Sequence, residues 1–294
     1  MTTTTATANA TTPRKRSPVP PPPAREALLQ DMLSQTARHG VPIRRRLLQT
    51  DVPDSSGGRA GPLAAMLSAR DSSTLDAYLL IQAMASSSSP YRASYFSNSW
   101  VRLMRFDRGA EPAAASSRWS KAVSRLEKLQ LIKRQRTGNI MNYLLLDEAG
   151  NGQPYERPTK LVHGRWFSIP HQYWLDGWDA KLSTAEKVVL LIALDQPDGF
   201  QIAYERFSDW YGISKSTAKR GLNGLIGHGI ITVRNDFYVS GRSPTGWVEI
   251  RSYTTQGIWA KAARDEAMKT KAKKHVPLSF VPEVTDVVGP AANP

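Results

Sequence analysis

The side chains best suited to chemistry are hydroxyl, amide and cationic groups that fall on one face of a short helix. Residues 215–227 read KSTAKRGLNGLIG, and at 100° per residue Ala218, Leu222 and Leu225 share one side of this helix. The first turn and the opposite side carry groups that hydrogen-bond to base edges or phosphates. We predict nucleic-acid contacts from Lys215, Ser216, Thr217, Lys219, Arg220 and Asn223. An ordinary solvated face is the alternative.

A second stretch repeats this pattern 99 residues earlier in the chain. At that constant offset Val123 aligns with Leu222, and Gln130 aligns with Gly229. The first helices of the two copies start about 110 residues apart, so we place the extra residues of the first copy in RFDRGAEPAAAS, 105–116. Two diverged copies of one unit explain the match. The outward-facing set of the first copy is Ser117, Arg118, Ser120, Lys121, Ser124 and Arg125.

The elements around these helices follow one predicted order. In the second copy Ser183 opens a buried helix through a capping box with Glu186. A second helix ends at Gly212, Ser214 caps the third helix, and two alternating strands follow. This order of helix, helix, turn, helix and hairpin, together with the wording GIS, ST and GII, resembles the winged helix-turn-helix family. The resemblance implies a mainly α fold with small β-hairpin wings (α+β), as two tandem domains whose third helices enter the major groove.

Basic residues also lie in the two predicted hairpins. Lys133, Arg134 and Arg136 lead into the turn of the first hairpin, and Arg234 and Arg242 belong to the second. Side chains at such positions contact the phosphate backbone or the minor groove beside a helix. We therefore expect the wings to contribute affinity rather than sequence preference.

The overall pattern resembles plasmid or phage replication initiators and also transcriptional regulators, a resemblance that implies sequence-specific binding to double-stranded DNA, in the setting of a mobile element. The partner we expect is double-stranded DNA, with a homodimer or contact with the replication or transcription machinery left open. A winged-helix module for protein interaction in a chromosome- or DNA-processing complex is the alternative function. A nuclease or other enzyme that contains such domains is a third reading.

Catalytic constellations are missing from the sequence. The five histidines show no metal-ligand spacing, and the absence of cysteine excludes thiolate zinc sites and a cysteine nucleophile. Asp176 with Asp179 and Asp195 with Asp198 are spaced like carboxylate pairs, but we interpret them as turn formers beside Trp, Gly or Pro. No phosphate-binding loop, nucleophile elbow or dinucleotide fingerprint occurs. We expect a protein that is not an enzyme and that uses no metal or other cofactor.

The charge of the chain favours a polyanionic partner. Lys and Arg number 39 against 25 Asp and Glu, which gives a formal net charge of +14 over 294 residues. No stretch approaches the ~18 apolar residues of a membrane span, and the N-terminus lacks the apolar region of a signal peptide. We expect a cytoplasmic, nucleoid-associated protein without membrane contact.

Composition divides the chain into seven segments. Low-complexity and turn-rich stretches mark the boundaries between the predicted units. We predict a disordered basic and Pro-rich arm (1–25), a helical extension and linker (26–70), winged-helix domain 1 (71–150), a linker (151–165), winged-helix domain 2 (166–255), a basic C-terminal helix (256–275) and a tail (276–294).

Overall fold

The computed structural model describes residues 23–36, 38–67, 72–158 and 164–269. Within these residues the chain folds as an α+β protein with small antiparallel sheets. None of the helices in the described ranges is long and apolar enough to cross a membrane. The first elements in chain order are α1 (Arg25–Ser34), β1 (Gly40–Arg44) and α2 (Pro62–Leu67).

The first unit is built from three helices and a three-stranded sheet. Its elements are α3 (Ser73–Met84), β2 (Arg92–Tyr95), α4 (Ser97–Leu103), α5 (Pro112–Lys128), β3 (Ile132–Thr137) and β4 (Ile140–Leu145). The strands are antiparallel in the order β2-β4-β3. Helix α3 is buried on nearly every side because its sequence, STLDAYLLIQAM, is apolar all round.

The second unit has the same order of helices and ends in a longer hairpin. After β5 (Trp166–Pro170) and two short helices, α6 (Gln172–Leu175) and α7 (Trp178–Lys181), come α8 (Thr184–Asp195), α9 (Tyr204–Tyr211), α10 (Lys215–Gly227), β6 (Ile231–Val239) and β7 (Trp247–Thr255). The predicted capping box is present: the Ser183 hydroxyl accepts from the Glu186 amide, and the Glu186 carboxylate accepts from the Ser183 amide. Residue Phe200 bridges to Tyr253 of β7 at the position that β2 occupies in the first unit.

The ends of the elements reproduce the offset of 99 residues. Helix α5 ends at Lys128 and α10 at Gly227. Gln130 adopts a positive φ of 55° where Gly229 has 69°. The extra residues of the first unit are divided, however: some lie between α4 and α5, as predicted, and others lie between α3 and α4, where β2 is inserted.

The segment predicted as a helical extension and linker contributes to the core. Strand β1 is fully buried and pairs antiparallel with β5 of the second unit, with Ile43 opposite Phe167. At its end, the Arg44 guanidinium donates to the carboxylate of Asp147, 2.8 Å away in the first unit. The sequence GVPIR is too short to show a strand period, so its role was not predicted.

Ion pairs join elements that are distant in sequence. The Lys187 amine of α8 lies 2.7 Å from both carboxylate oxygens of Asp76 in α3. Asp179 pairs with Arg25 at 2.5 Å and with Arg105 at 2.8 Å. The interpretation of Asp179 as a turn former was therefore wrong.

Asp195 departs from the sequence interpretation in the same way. It is the last residue of α8 and is buried, and it lies 3.5 Å from Arg45 and 3.3 Å from Arg165. Burial raises the pKa of Asp195 to about 6 in spite of these two guanidinium groups. Its role is to anchor two distant segments, not to form a turn.

The chain ends are described only in part. Helix α11 (Lys261–Lys269) covers part of the predicted basic C-terminal helix and packs against β5 through the buried Arg264. The lysine run after Lys269, the tail and residues 1–22 of the predicted arm lie outside the described residues.

Candidate nucleic-acid interface

A tight turn positions the third helix of the second unit. Helix α9 ends at Gly212, whose positive φ of 64° is the left-handed conformation that glycine adopts without strain. Three residues later α10 begins, and the hydroxyl of Ser214 accepts a hydrogen bond from the Thr217 amide at 3.2 Å. The amides of the first turn of α10 therefore point out of the unit next to the polar side chains.

Glycines on the inner face of α10 let it pack closely on α8. A Cβ at Gly221 would lie 2.5 Å from the Ala185 carbonyl oxygen and from a Val189 methyl group, well inside contact distance. The predicted inner positions, Ala218, Leu222 and Leu225, are fully buried. This close packing fixes which face of α10 is turned outward.

Aromatic rings hold the equivalent helix of the first unit. Trp119 of α5 stacks on Trp100 of α4 with ring centroids 5.1 Å apart, and its indole N–H donates to the Tyr143 hydroxyl at 2.8 Å. Helix α5 starts with Pro112 at its first position, one turn earlier than the match to α10 predicts. The connection between α4 and α5 is also longer than the turn before α10, so only the second unit has a tight helix-turn-helix.

Most predicted contact residues lie on exposed faces of these two helices. The predicted residues of α5 and α10 that are exposed are Ser117, Arg118, Ser120, Lys121, Lys215, Ser216, Lys219, Arg220 and Asn223. Ser124, Arg125 and Thr217 are only half exposed. The Thr217 hydroxyl lies 2.9 Å from that of Ser214, so Thr217 contributes to the helix cap and is a weaker candidate for DNA contact.

Several predicted cations already have partners within the chain. Lys215 pairs with Glu205 at 2.7 Å, Arg134 with Glu127 at 2.5 Å, and Arg234 with Asp236 at 2.9 Å. These are surface pairs, which contribute little to stability. The pair with Arg134 lowers the pKa of Glu127 through hydrogen bonding.

Seven of the other predicted cations are available to bind an external anion. The Arg136 guanidinium donates to the Gly138 carbonyl oxygen beside it. The cations of the predicted set that form no ion pair with any residue in the described ranges are Arg118, Lys121, Lys133, Arg136, Lys219, Arg220 and Arg242. A cation without an internal partner keeps its full charge for phosphate.

Helix α2 contacts both α5 and the turn before α10, which the sequence did not indicate. Its Ala65 carbonyl oxygen accepts from the Arg125 guanidinium of α5 at 3.2 Å. On its other side, Ala64 lies so close to the turn before α10 that a Cβ at Gly212 would meet it at 2.8 Å. Leu63 and Met66, three residues apart, are fully buried and gave the only sequence signal for this helix.

A cavity of 370 Å³ separates α2 from the start of α10, lined by Leu67, Thr217 and Arg220 among others. Helix α2 and this cavity therefore lie next to the start of α10. Because α2 contacts both units, the separation of α5 and α10 is set by the fold.

The two hairpins differ in length and in the side chains that they expose. Strands β3 and β4 have six residues each, whereas β6 and β7 have nine. The outer part of the longer hairpin exposes apolar side chains rather than a basic surface: Phe237, Tyr238, Val239 and Trp247 are all among the exposed large hydrophobic residues. Sequence reasoning identified the strands but not this apolar surface.

The described residues give little support to other classes of site, such as a metal site. In those ranges no group of three or more His, Cys, Asp or Glu residues could hold a metal ion. The rings of the exposed His39 and the buried His171 lie 6.3 Å apart, edge to face. Burial lowers the pKa of His171 to about 4, which keeps this ring neutral.

Comparison with known proteins finds no protein-family model and no curated protein that matches this chain.

Proposed function

We propose that this protein binds double-stranded DNA in a sequence-specific manner through two winged helix-turn-helix units, as a replication initiator or a transcriptional regulator. The observation that carries the proposal is the equivalence of α5 and α10. Each follows a second helix, packs its apolar side on its own unit and exposes hydroxyl groups and cations on the other side, and α10 adds the amide of Asn223. This combination is typical of helices that enter the major groove.

Individual side chains suit separate parts of the duplex. Arg220 and Asn223 lie on the exposed side of α10, and arginine and asparagine form bidentate contacts with guanine and adenine edges. Lys121 has the corresponding place on α5. Lys133 and Arg242, in the wings, suit phosphate contacts, which supply affinity and strong salt dependence.

The contacts of helix α2 indicate which kind of DNA site the chain would bind. Because α2 contacts α5 and the turn before α10, the two helices present a fixed separation to DNA. A single chain then reads two unlike segments at one defined spacing, which suits an asymmetric or direct-repeat site.

The proposal is tested by selecting bound fragments from the host genome and its mobile elements with the full chain. On a selected duplex, Lys121→Ala and Arg220→Ala are expected to weaken binding by about 1–3 kcal/mol each if the side chain reads a base. The matched control is Lys261→Ala, which removes the same charge from α11, where Lys261 pairs with Asp265.

The result that contradicts the proposal is an unchanged affinity and sequence preference in both helix variants. The selected fragments also separate the two roles. Iterated sites near an origin of replication indicate an initiator, and one palindrome over a promoter indicates a regulator.

A further inference from the structure

Strand β6 leaves one of its edges open. It pairs with β7 along nine residues, from Ile231 opposite Thr255 to Val239 opposite Trp247. Within the described ranges no strand pairs with its other edge. All residues of β6 after Ile231 are exposed. A long open edge of this kind is a template for pairing with another strand.

Exposed apolar side chains share one face of this hairpin with Asn235 and two charged residues of β7. Val233, Phe237 and Val239 alternate along β6 and therefore point to the same side, with Trp247 directly opposite Val239. The exposed fractions of Phe237 and Val239 are 63% and 73%. Leaving such side chains in water forgoes the stabilisation that their burial would give.

We propose that the occupant of this edge is a second copy of the same strand, paired antiparallel about a two-fold axis at Asn235. In that register Val233 lies directly opposite Phe237 of the second copy, so the exposed apolar side chains of the two strands lie side by side on the same face of the joined sheet. On the other face Arg234 lies opposite Asp236 of the second copy, and the symmetry gives this ion pair twice. The sequence VRNDF is thus complementary to itself in the antiparallel direction.

Neighbouring registers lack this complementarity. Moving the two-fold axis to Arg234 or to Asp236 places like charges directly opposite each other. A slip by a single position puts the apolar face of one copy beside the polar face of the other. Only the axis at Asn235 pairs the apolar residues and the charges at the same time.

The charges of the hairpin favour a protein occupant over DNA. Between Ile231 and Thr255 the basic residues Arg234, Arg242 and Arg251 are accompanied by Asp236 and Glu249. Both strand arginines are already paired, Arg234 with Asp236 at 2.9 Å and Arg251 with Glu249 at 3.0 Å. The two strands therefore carry no net charge that would attract a polyanion, and Arg242 lies in the connection between them.

This dimer does not depend on the proposed DNA binding and is tested without DNA. Edge pairing of one strand buries less area than a standard interface, so we expect a weak dimer, with a Kd of about 1–100 µM. Sedimentation velocity of the full chain over this range of concentration measures it.

A charge swap tests the register. Asp236→Arg places Arg234 opposite a like charge and is expected to weaken the dimer by at least about tenfold. Adding Arg234→Asp to that variant restores the opposite charges and the dimer. The control, Glu249→Arg, breaks the equivalent pair with Arg251 on β7, away from the open edge, and is expected to leave the dimer unchanged.

A single cysteine tests the position of the axis. The chain contains no cysteine, so Asn235→Cys introduces one thiol per copy. Residues opposite each other on the axis have Cβ atoms roughly 4.5–5.5 Å apart, close enough for a disulfide after a small adjustment. Mild oxidation is expected to give a covalent dimer, whereas Glu249→Cys is not.

Three outcomes overturn the proposal. The first is a monomer at every concentration, and the second is a dimer that ignores the charge swap and the position of the thiol. The third is a Phe237→Ala variant that loses DNA affinity while its oligomeric state is unchanged, which would assign the apolar hairpin to the duplex.

Discussion

Replacing Lys187 by methionine removes the ion pair that joins the first helices of the two units. The Lys187 amine lies 2.7 Å from both oxygens of Asp76, and the exposed fractions of the two side chains are 5% and 19%. Removing one partner of a buried pair costs about 3–5 kcal/mol, because the other charge stays buried without compensation. Asp76 keeps some contact with water, so we expect the lower end, ~3 kcal/mol.

The loss is expected to depend on pH. Burial raises the pKa of Asp76, and Lys187 opposes that rise. Without Lys187 the folded-state pKa of Asp76 rises further, so the folded state binds this proton more strongly than the unfolded state does. The variant is therefore closest to the parent in stability at low pH, and its deficit grows as the pH rises toward neutrality.

Urea denaturation at pH 4.5 and pH 7 measures both effects. A loss of ~3 kcal/mol at pH 7 corresponds to a fall in midpoint of roughly 1 M or more. The control is Lys261→Met, which removes the exposed pair with Asp265 and is expected to cost less than about 0.5 kcal/mol. The double variant Asp76→Leu with Lys187→Met is expected to recover most of the loss. A single variant within about 0.5 kcal/mol of the parent, or a double variant as unstable as the single, refutes the reasoning.

Three further predictions concern packing, pH and DNA spacing. Gly221→Ala should lower the free energy of unfolding, measured by urea denaturation, by about 1–3 kcal/mol, because the new Cβ would clash with Ala185 and Val189. Gly227→Ala is the control and should be neutral or stabilising, because a Cβ there has no neighbour within contact distance. Equal effects of the two changes would contradict the close packing of α8 and α10. Burial raises the pKa of Glu148 from 4.5 to about 7, so the stability from this group is fully present below about pH 4.5 and is lost as the pH rises through about 7. Glu148→Gln should flatten the pH profile of the unfolding free energy between about pH 4.5 and 7, and an unchanged slope would count against this assignment. Inserting about 5 bp between the two segments of a selected DNA site turns one of them by half a helical turn and should weaken binding at least about tenfold in a gel-shift titration; tolerance of the insertion would show that α2 does not fix the spacing.

Local patterns were sufficient to predict the third helices and their faces. The inward positions Ala218, Leu222 and Leu225 and the outward positions Lys121 and Lys219 agree with the structure. They could be predicted because helical period, cap residues and hairpin alternation depend on neighbours within a few positions. The repeat offset of 99 added a second, independent copy of the same signal.

Contacts across the chain could not be predicted in this way. Strand β1 pairs with β5, more than a hundred residues later, and Arg44 donates a hydrogen bond to Asp147, 103 residues away in the chain. The position of α2 against the two units depends on the same kind of contact. Neither hydrophobic period nor composition encodes which distant partner an arginine or a short strand will meet.

Some residues predicted to contact DNA are weaker candidates because they have partners within the chain that the sequence did not reveal. Lys215 is drawn to Glu205 and Arg134 to Glu127, and Thr217 takes part in the helix cap. The sequence showed their charge and their side of the helix but not these partners. The residues that remain strongest, Lys121, Arg220 and Asn223, are those that the fold leaves exposed.

The central claim is that α5 and α10 read DNA sequence, and a competition measurement tests it most directly. The full chain is bound to a selected duplex and displaced by a shuffled duplex of the same composition at physiological salt. The account predicts that the selected duplex binds at least about 10³-fold more tightly and that Lys121→Ala and Arg220→Ala each reduce this ratio. Equal binding of the two duplexes by the parent, with the same ratio in both variants, would contradict it.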